Sequence, residues 1–329
     1  MNSYMEAMII NVAKHQGADY GRQRVFADIG ICFTSFITGV ACEHFNVDDN
    51  ISPFSPALFI FPACALLMIP IGCVLVDQAK IEVVDDWKDE DQKNNNNFDD
   101  SNDANMDDRS LAAKALQLCS QLDVFLFLLT SFIAGLLIAI YFNFSFKYLT
   151  EKSNRSKSEN SLVIVISSLG SILVFPFTTR IIKFFGSNML AINFGLLCGC
   201  LRFFIMYLNV SFEVFVSAQL LNGFSFALLF TAMMEEIFVI SPKEINMTMN
   251  NIVMVLFFFI SSLVGNIGGS AVYSQFGGAT LFLGTSLTAG VWALFMTAHH
   301  VYKRKRMTLS DDIVLHNFNN IDKLTEATA

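Results

Sequence analysis

Charge is what this chain of 329 residues has least of. Asp, Glu, Lys and Arg make up 15% of it, against roughly 25% in soluble domains. With 53% hydrophobic residues and a mean hydropathy of +0.50, a soluble globular domain is excluded. Histidine is scarce too, and its five copies are too scattered to form a ligand set. Of the seven cysteines, most fall within apolar runs. Cys198 and Cys200 diverge on a helix and have no histidine or carboxylate beside them, so they read as structural rather than as a metal or redox pair. No basic stretch has the character of a nucleic-acid patch. The net charge of −8 comes mostly from one central segment. The N-terminus lacks the basic region, clean apolar run and small-residue cleavage site of a signal peptide. No catalytic constellation is visible, so no enzyme, cofactor or metal is expected.

What the sequence does have is long apolar runs. A bilayer core takes about 20 consecutive apolar residues as a helix. By that measure the chain divides into a partial span at 1–14 and full spans at roughly 24–44, 54–76, 122–147, 161–184, 187–208, 213–240, 247–273 and 278–301. The fold class is therefore all-α and polytopic, with about eight full spans and one fragment in a lipid bilayer. A polar segment, 77–120, interrupts them with Asp85, Asp86, Asp89, Glu90, Asp91 and the run Asn94 to Asn97. Its composition predicts a disordered acidic linker. Four units result: 1–76, 77–120, a six-helix bundle at 121–301, and a tail at 302–329.

Lysine and arginine set the orientation. Lys303 to Arg306, Lys243, Arg180, Lys183, the basic residues of the linker, Lys14 and Arg22 collect on one side. Lys147, Lys152, Arg155 and Lys157 sit around a single loop on the other. The first side, with the linker and the C-terminus, is expected to be cytosolic. The acceptor triplets at Asn154 and Asn209 then fall outside.

Polar groups inside the runs carry the functional signal. In Tyr20-Gly21-Arg22-Gln23-Arg24, the last arginine stands at the mouth of a span. A cation there costs a few kcal/mol unless it finds a partner. Arg22 and Arg24 lie about 200° apart on a helix and cannot share a face. Glu6 is the expected inward partner of Arg24, and an interfacial pair of anchoring arginines is the alternative. Arg202, Asn222, Glu235 and Glu236 are further candidates, each with a structural alternative in which it satisfies a neighbouring polar group. Gln219 and Ser225 flank Asn222 at helical spacing, and Asn266 lies midway along its run. Gly195 with Gly199, and Gly265 with Gly269, are spaced for close helix contact. The 34 phenylalanines read as lipid-facing bulk rather than a cofactor box.

Six spans after a long loop, together with Tyr20 to Gly30, Ala218 to Leu228, Ile240 to Lys243, Gly265 to Gly269 and Gln275 to Gly278, resemble the major facilitator superfamily. The likeness is to the branch of lactose permease and the group around major facilitator superfamily domain-containing protein 6. It implies that Arg24 matches the substrate-binding arginine of the fifth helix, Glu6 its acidic partner, and Arg202 the ninth-helix arginine. The chain departs from that pattern where the permease has its tenth-helix histidine and glutamate, since Asn222 and Ser225 stand there. It departs again near Ile260, where a lysine is missing.

The resemblance further implies that roughly the first three helices of the fold are absent. The expected complement is either those helices or a second copy of the chain, and the chain alone is expected to be inactive. The implied function is transport of an unidentified small polar or anionic solute by alternating access. The alternative is a receptor or scaffold that binds a partner through its outer loops, chiefly 148–160.

Overall fold

The computed structural model describes residues 20–44, 66, 108–152, 157–208, 210–242 and 245–328. Side chains are described at 24–38, 40, 66, 113–152, 161–208, 210–242 and 245–306. Glu6 and its expected pairing with Arg24, most of the expected span 54–76, and 77–107 lie outside the described residues.

Every regular element among the described residues is helical. In chain order they are α1 (Tyr20–His44), α2 (Asp108–Cys119), α3 (Leu122–Lys152), α4 (Lys157–Val174), α5 (Thr178–Phe185), α6 (Asn188–Tyr207), α7 (Phe212–Ser217), α8 (Gln219–Ile240), α9 (Asn246–Met254) and α10 (Ser261–Thr328). Among the described residues, five segments are apolar and long enough to cross a membrane: Leu122–Lys152, Ser161–Phe185, Asn188–Tyr207, Phe212–Ile240 and Asn246–Arg306. The last has 61 residues, room for two crossings of about 20 residues each. Gly277 breaks it, with φ 82° and ψ 166°, a conformation glycine adopts without a Cβ clash. The protein is an all-α, multi-pass integral membrane protein.

Local chemistry accounts for the other interruptions. Pro176 has no amide hydrogen to continue α4, and a 3-10 turn, Phe175–Phe177, hands the chain to α5. Gly186, at φ 67°, caps α5 through its amide to the carbonyls of Ile182 and Lys183. Between α9 and α10, Val255–Ile260 is π-helical. There α3 comes close: a Cβ on Gly135 would lie 2.1 Å from the Phe257 carbonyl oxygen. The Ser261 hydroxyl donates to that same carbonyl.

Three readings of the sequence need correction. The segment 77–120 is not wholly a disordered linker, because Asp108–Cys119 form a helix on which Ala115 is buried. Its Leu-Ala-Ala-Lys-Ala-Leu core has the propensity to form one. Asn266 is exposed, not buried, because α10 turns Gly265 and Gly269 toward α3 instead. Phenylalanine is not confined to the lipid face. Phe127, Phe175, Phe203, Phe230, Phe257 and Phe282 are fully buried, and among them the rings of Phe203 and Phe282 meet at 6.0 Å and those of Phe230 and Phe257 at 5.9 Å between centroids.

The helices meet where small residues let backbones approach. At the α4–α8 crossing a Cβ on Gly223 would fall 2.3 Å from the Ser167 carbonyl oxygen and the Ser171 nitrogen, and one on Gly170 would fall 2.7 Å from the Leu220 oxygen. Gly195 faces Leu229 and Gly199 faces Leu137, while Gly265 meets Ala139 and Gly269 meets the Phe144 ring. Helix α1 packs along α4. That contact brings the N-terminal part of the chain onto the bundle and positions the site described next.

Candidate functional site

Arg24 opens the buried face of α1. Its guanidinium carbon lies 4.6 Å from the Phe230 ring centroid and 5.9 Å from that of Phe226, both on α8. Such cation–π contacts strengthen when desolvated. One turn along the same face stands Asp28, 3% exposed. It lies beside Ser171 of α4 and within electrostatic reach of Arg24. Its Oδ2 has no hydrogen-bond partner among the described residues.

The α4 side of this contact is polar as well. Ser171 Oγ reaches the carbonyls of Ser167 and of Gly223 across the crossing, each at 3.4 Å. Asn222 Nδ2 donates to Ser167 Oγ at 2.6 Å. The close glycine crossing therefore holds two short polar side chains against a third helix. Ser225 faces elsewhere and donates to the Gly195 carbonyl of α6 at 2.6 Å. Gln219 donates to Phe215 one turn back.

From Ser167 the polar groups continue into the bundle. The Tyr141 hydroxyl of α3 lies near Ser167, and the Arg202 guanidinium of α6 stacks on the Tyr141 ring at 4.3 Å and on the Phe203 ring at 4.2 Å. Arg202 is 1% exposed. Residues from five helices thus line one continuous polar path: Arg24, Asp28, Ser171, Ser167 with Asn222, Tyr141 and Arg202. These groups put polar and charged atoms inside an otherwise apolar bundle.

Glu235 and Glu236 do not join that path. They line a cavity of about 970 Å³ at the opposite end of α8, with Asp123, Lys183, His299 and Lys303. Lys303 Nζ donates to Asp123 Oδ2 at 2.6 Å, and Glu236 faces Asn188 and Lys303. Among the described residues no group of three or more His, Cys, Asp or Glu side chains is placed to hold a metal ion.

Of the residues singled out from the sequence, the structure thus joins Arg24, Asn222 and Arg202 and sets the two glutamates apart. Sequence reasoning missed Asp28, Ser167, Ser171 and Tyr141. Asp28 did leave a signal. It is an acid within an apolar run, four residues after Arg24 and so on its face. The serines left none, because a hydroxyl in a membrane helix usually bonds its own backbone.

No curated protein matches the chain. Residues 1–284 match a family profile, and on that extent the chain belongs to the MFS_1 like family.

Proposed function

We propose that the protein is a transporter of the major facilitator type that moves a small polar or anionic solute by alternating access. The observation that carries this reading is the polar path where α1 meets α4 and α8. Two helical groups separated by a long stretch of chain share it, and Arg24 and Asp28 of α1 face it. Transporters of this architecture place their solute at such an interface, near the bilayer midplane. An ionisable residue inside a membrane is retained where a pathway needs it. Arg24 and Arg202 offer positive charge to the solute, and Asp28, Ser167 and Asn222 offer acceptors and donors for its polar groups. The Tyr20 to Gly30 pattern supports the narrower placement in the lactose-permease-like branch. Asn222 and Ser225 in place of that branch's histidine and glutamate argue for a different solute and a different coupling.

Uptake into proteoliposomes tests this, with the N-terminal helices that the resemblance implies supplied alongside the chain, on a panel of neutral sugars, zwitterionic amino acids and mono- and dicarboxylates. One class should accumulate. Asp28→Asn and Asn222→Ala should each reduce its uptake at least about tenfold, the loss of one well-placed polar contact, whereas Lys303→Ala should leave it unchanged. If no class enters and a partner protein binds at 148–160 instead, the receptor reading replaces this one.

A further inference from the structure

The cavity at the end of α8 away from the polar path has no part in the transport reading. Its volume of about 970 Å³ is that of a site for an organic molecule. The three carboxylates in its lining are already engaged. Asp123 accepts from Lys303 at 2.6 Å, Glu236 faces Asn188 and Lys303, and Glu235 has contacts of its own. The remaining charge is basic. On α10, His299, His300, Lys303 and Arg304 line the cavity at helical spacing, and the charged groups acting on His300 are all basic: Arg304, Lys303 and His299. From α5, Lys183 lines it too and forms no ion pair among the described residues. A third wall is the start of α6, which has no side-chain N-cap. Its first helical bond runs from the Ala191 amide to Ser187, so the amides of the lining residues Asn188 and Met189 have no helical acceptor. The other walls are apolar, and so is the rim. Val239, which lines the cavity, is 73% exposed, and Phe184, next to Lys183, is 86% exposed.

We propose that this cavity binds the phosphate headgroup of one anionic phospholipid, whose acyl chains lie along the exposed apolar rim. Lys183, His300, Arg304 and the first amides of α6 donate to the phosphate, which also sits at the positive end of a 20-residue helix. Arg304 has five N–H groups, so it keeps its own contacts and still donates. Lys303 stays with Asp123. A choline headgroup would bring a second cation to the basic stripe of α10, so the charge favours a lipid with net negative charge. The run Lys303 to Arg306 directly after the last apolar stretch belongs to the same pattern, since basic pockets between helices beside juxtamembrane lysines and arginines take acidic headgroups. A soluble phosphate would leave Val239 and Phe184 bare, whereas acyl chains cover them. The bound lipid joins α5 and α6 to α10. This inference holds whether or not the protein transports anything.

Thermal unfolding of the full chain in phosphate-free detergent micelles tests this, with one short-chain lipid added at a time. Dioctanoyl phosphatidylglycerol should raise the midpoint saturably, and dioctanoyl phosphatidylcholine should not. Glycerol 3-phosphate carries the phosphate without the chains and should act at least about tenfold more weakly, for want of apolar burial. Lys183→Gln with His300→Gln should weaken the apparent affinity for the anionic lipid about tenfold, as expected for lost hydrogen bonds to a charged group. Lys305→Gln with Arg306→Gln removes two positive charges outside the cavity lining and should change the affinity much less, which separates a built site from diffuse attraction to a basic run. Native mass spectrometry of the wild type needs no variant, and it should find one phosphatidylglycerol retained after phosphatidylcholine is stripped. The proposal is overturned if both lipids act alike, if glycerol 3-phosphate matches the lipid, or if the Lys183 and His300 variant responds as wild type does. It is equally overturned if the Lys305 and Arg306 variant loses as much affinity, or if no phosphatidylglycerol is retained. Loss of solute uptake with the lipid response intact would instead count against the transport reading alone.

Discussion

Replacing Gly223 by alanine should separate two helices that the fold holds unusually close. The new Cβ would sit 2.3 Å from the Ser167 carbonyl oxygen and the Ser171 nitrogen, and 2.5 Å from the Gly170 carbonyl carbon. All three are backbone atoms, so no side chain can rotate away. To restore ordinary contact, α4 and α8 must part by about 1 Å, an overpacking strain of about 1–3 kcal/mol. The same movement breaks Ser171 Oγ to the Gly223 carbonyl and Asn222 to Ser167. Interhelical hydrogen bonds in membranes contribute about 0.6 kcal/mol each. The better helix propensity of alanine returns about 1 kcal/mol, leaving a net loss of about 1–3 kcal/mol. Gly284→Ala is the control, since nothing lies within 4 Å of the Cβ it would add, and it should gain up to about 1 kcal/mol. Reversible unfolding in mixed detergent micelles compares the two. Equal stability of Gly223→Ala and Gly284→Ala would refute the close crossing, and with it the placement of Ser167 and Asn222.

Other outcomes follow from single contacts. A double-mutant cycle of Ser167→Ala and Asn222→Ala should give a coupling of about 0.6–1.7 kcal/mol in the same unfolding assay, and zero coupling would mean the 2.6 Å bond is not formed. Thr130→Val removes the acceptor of the Trp292 indole N–H, so it should lower stability by about 1 kcal/mol and alter Trp292 emission, most clearly with Trp87 replaced. Lys303→Ala breaks a half-exposed pair with Asp123 and should cost no more than about 1 kcal/mol, less in high salt. Burial pushes the Cys119 thiol above its ordinary value. In a variant keeping only that cysteine, maleimide labelling should therefore be slow at neutral pH and quicken as pH rises toward thiolate formation; a rate flat across that range would contradict it.

The fold class was legible because the bilayer imposes a length and a composition that no soluble helix needs to meet. Runs such as Leu122–Lys152 and Asn188–Tyr207 announce themselves without any motif. Contacts between helices were less legible. The glycine pairs visible from spacing, Gly195 with Gly199 and Gly265 with Gly269, meet side chains that can adjust, while the tightest approaches, at Gly135, Gly170 and Gly223, meet backbone. Those three use one glycine per helix at each crossing. A spacing rule reads pairs along one helix and cannot see a partner on another. The helix α2 escaped notice because its acidic surroundings outweighed a short apolar stripe.

The polar path shows where inference from single residues runs out and geometry takes over. Arg24 and Arg202 both stood out as cations in apolar runs, and by themselves they suggested two equivalent charges facing one solute. In the structure their surroundings differ. Arg24 has a carboxylate one turn away in Asp28, so that end of the path carries both signs and can be neutral without a ligand. Arg202 has the Tyr141 and Phe203 rings against it, so its charge is offset within the described residues only by ring faces. In a low-dielectric interior that difference outweighs the likeness of the side chains. A solute spanning the path would therefore meet a charge-balanced end at α1 and a cationic end at α6. Under the transport function we propose, that polarity would favour an anion, or a zwitterion with its negative group toward α6, over a neutral sugar.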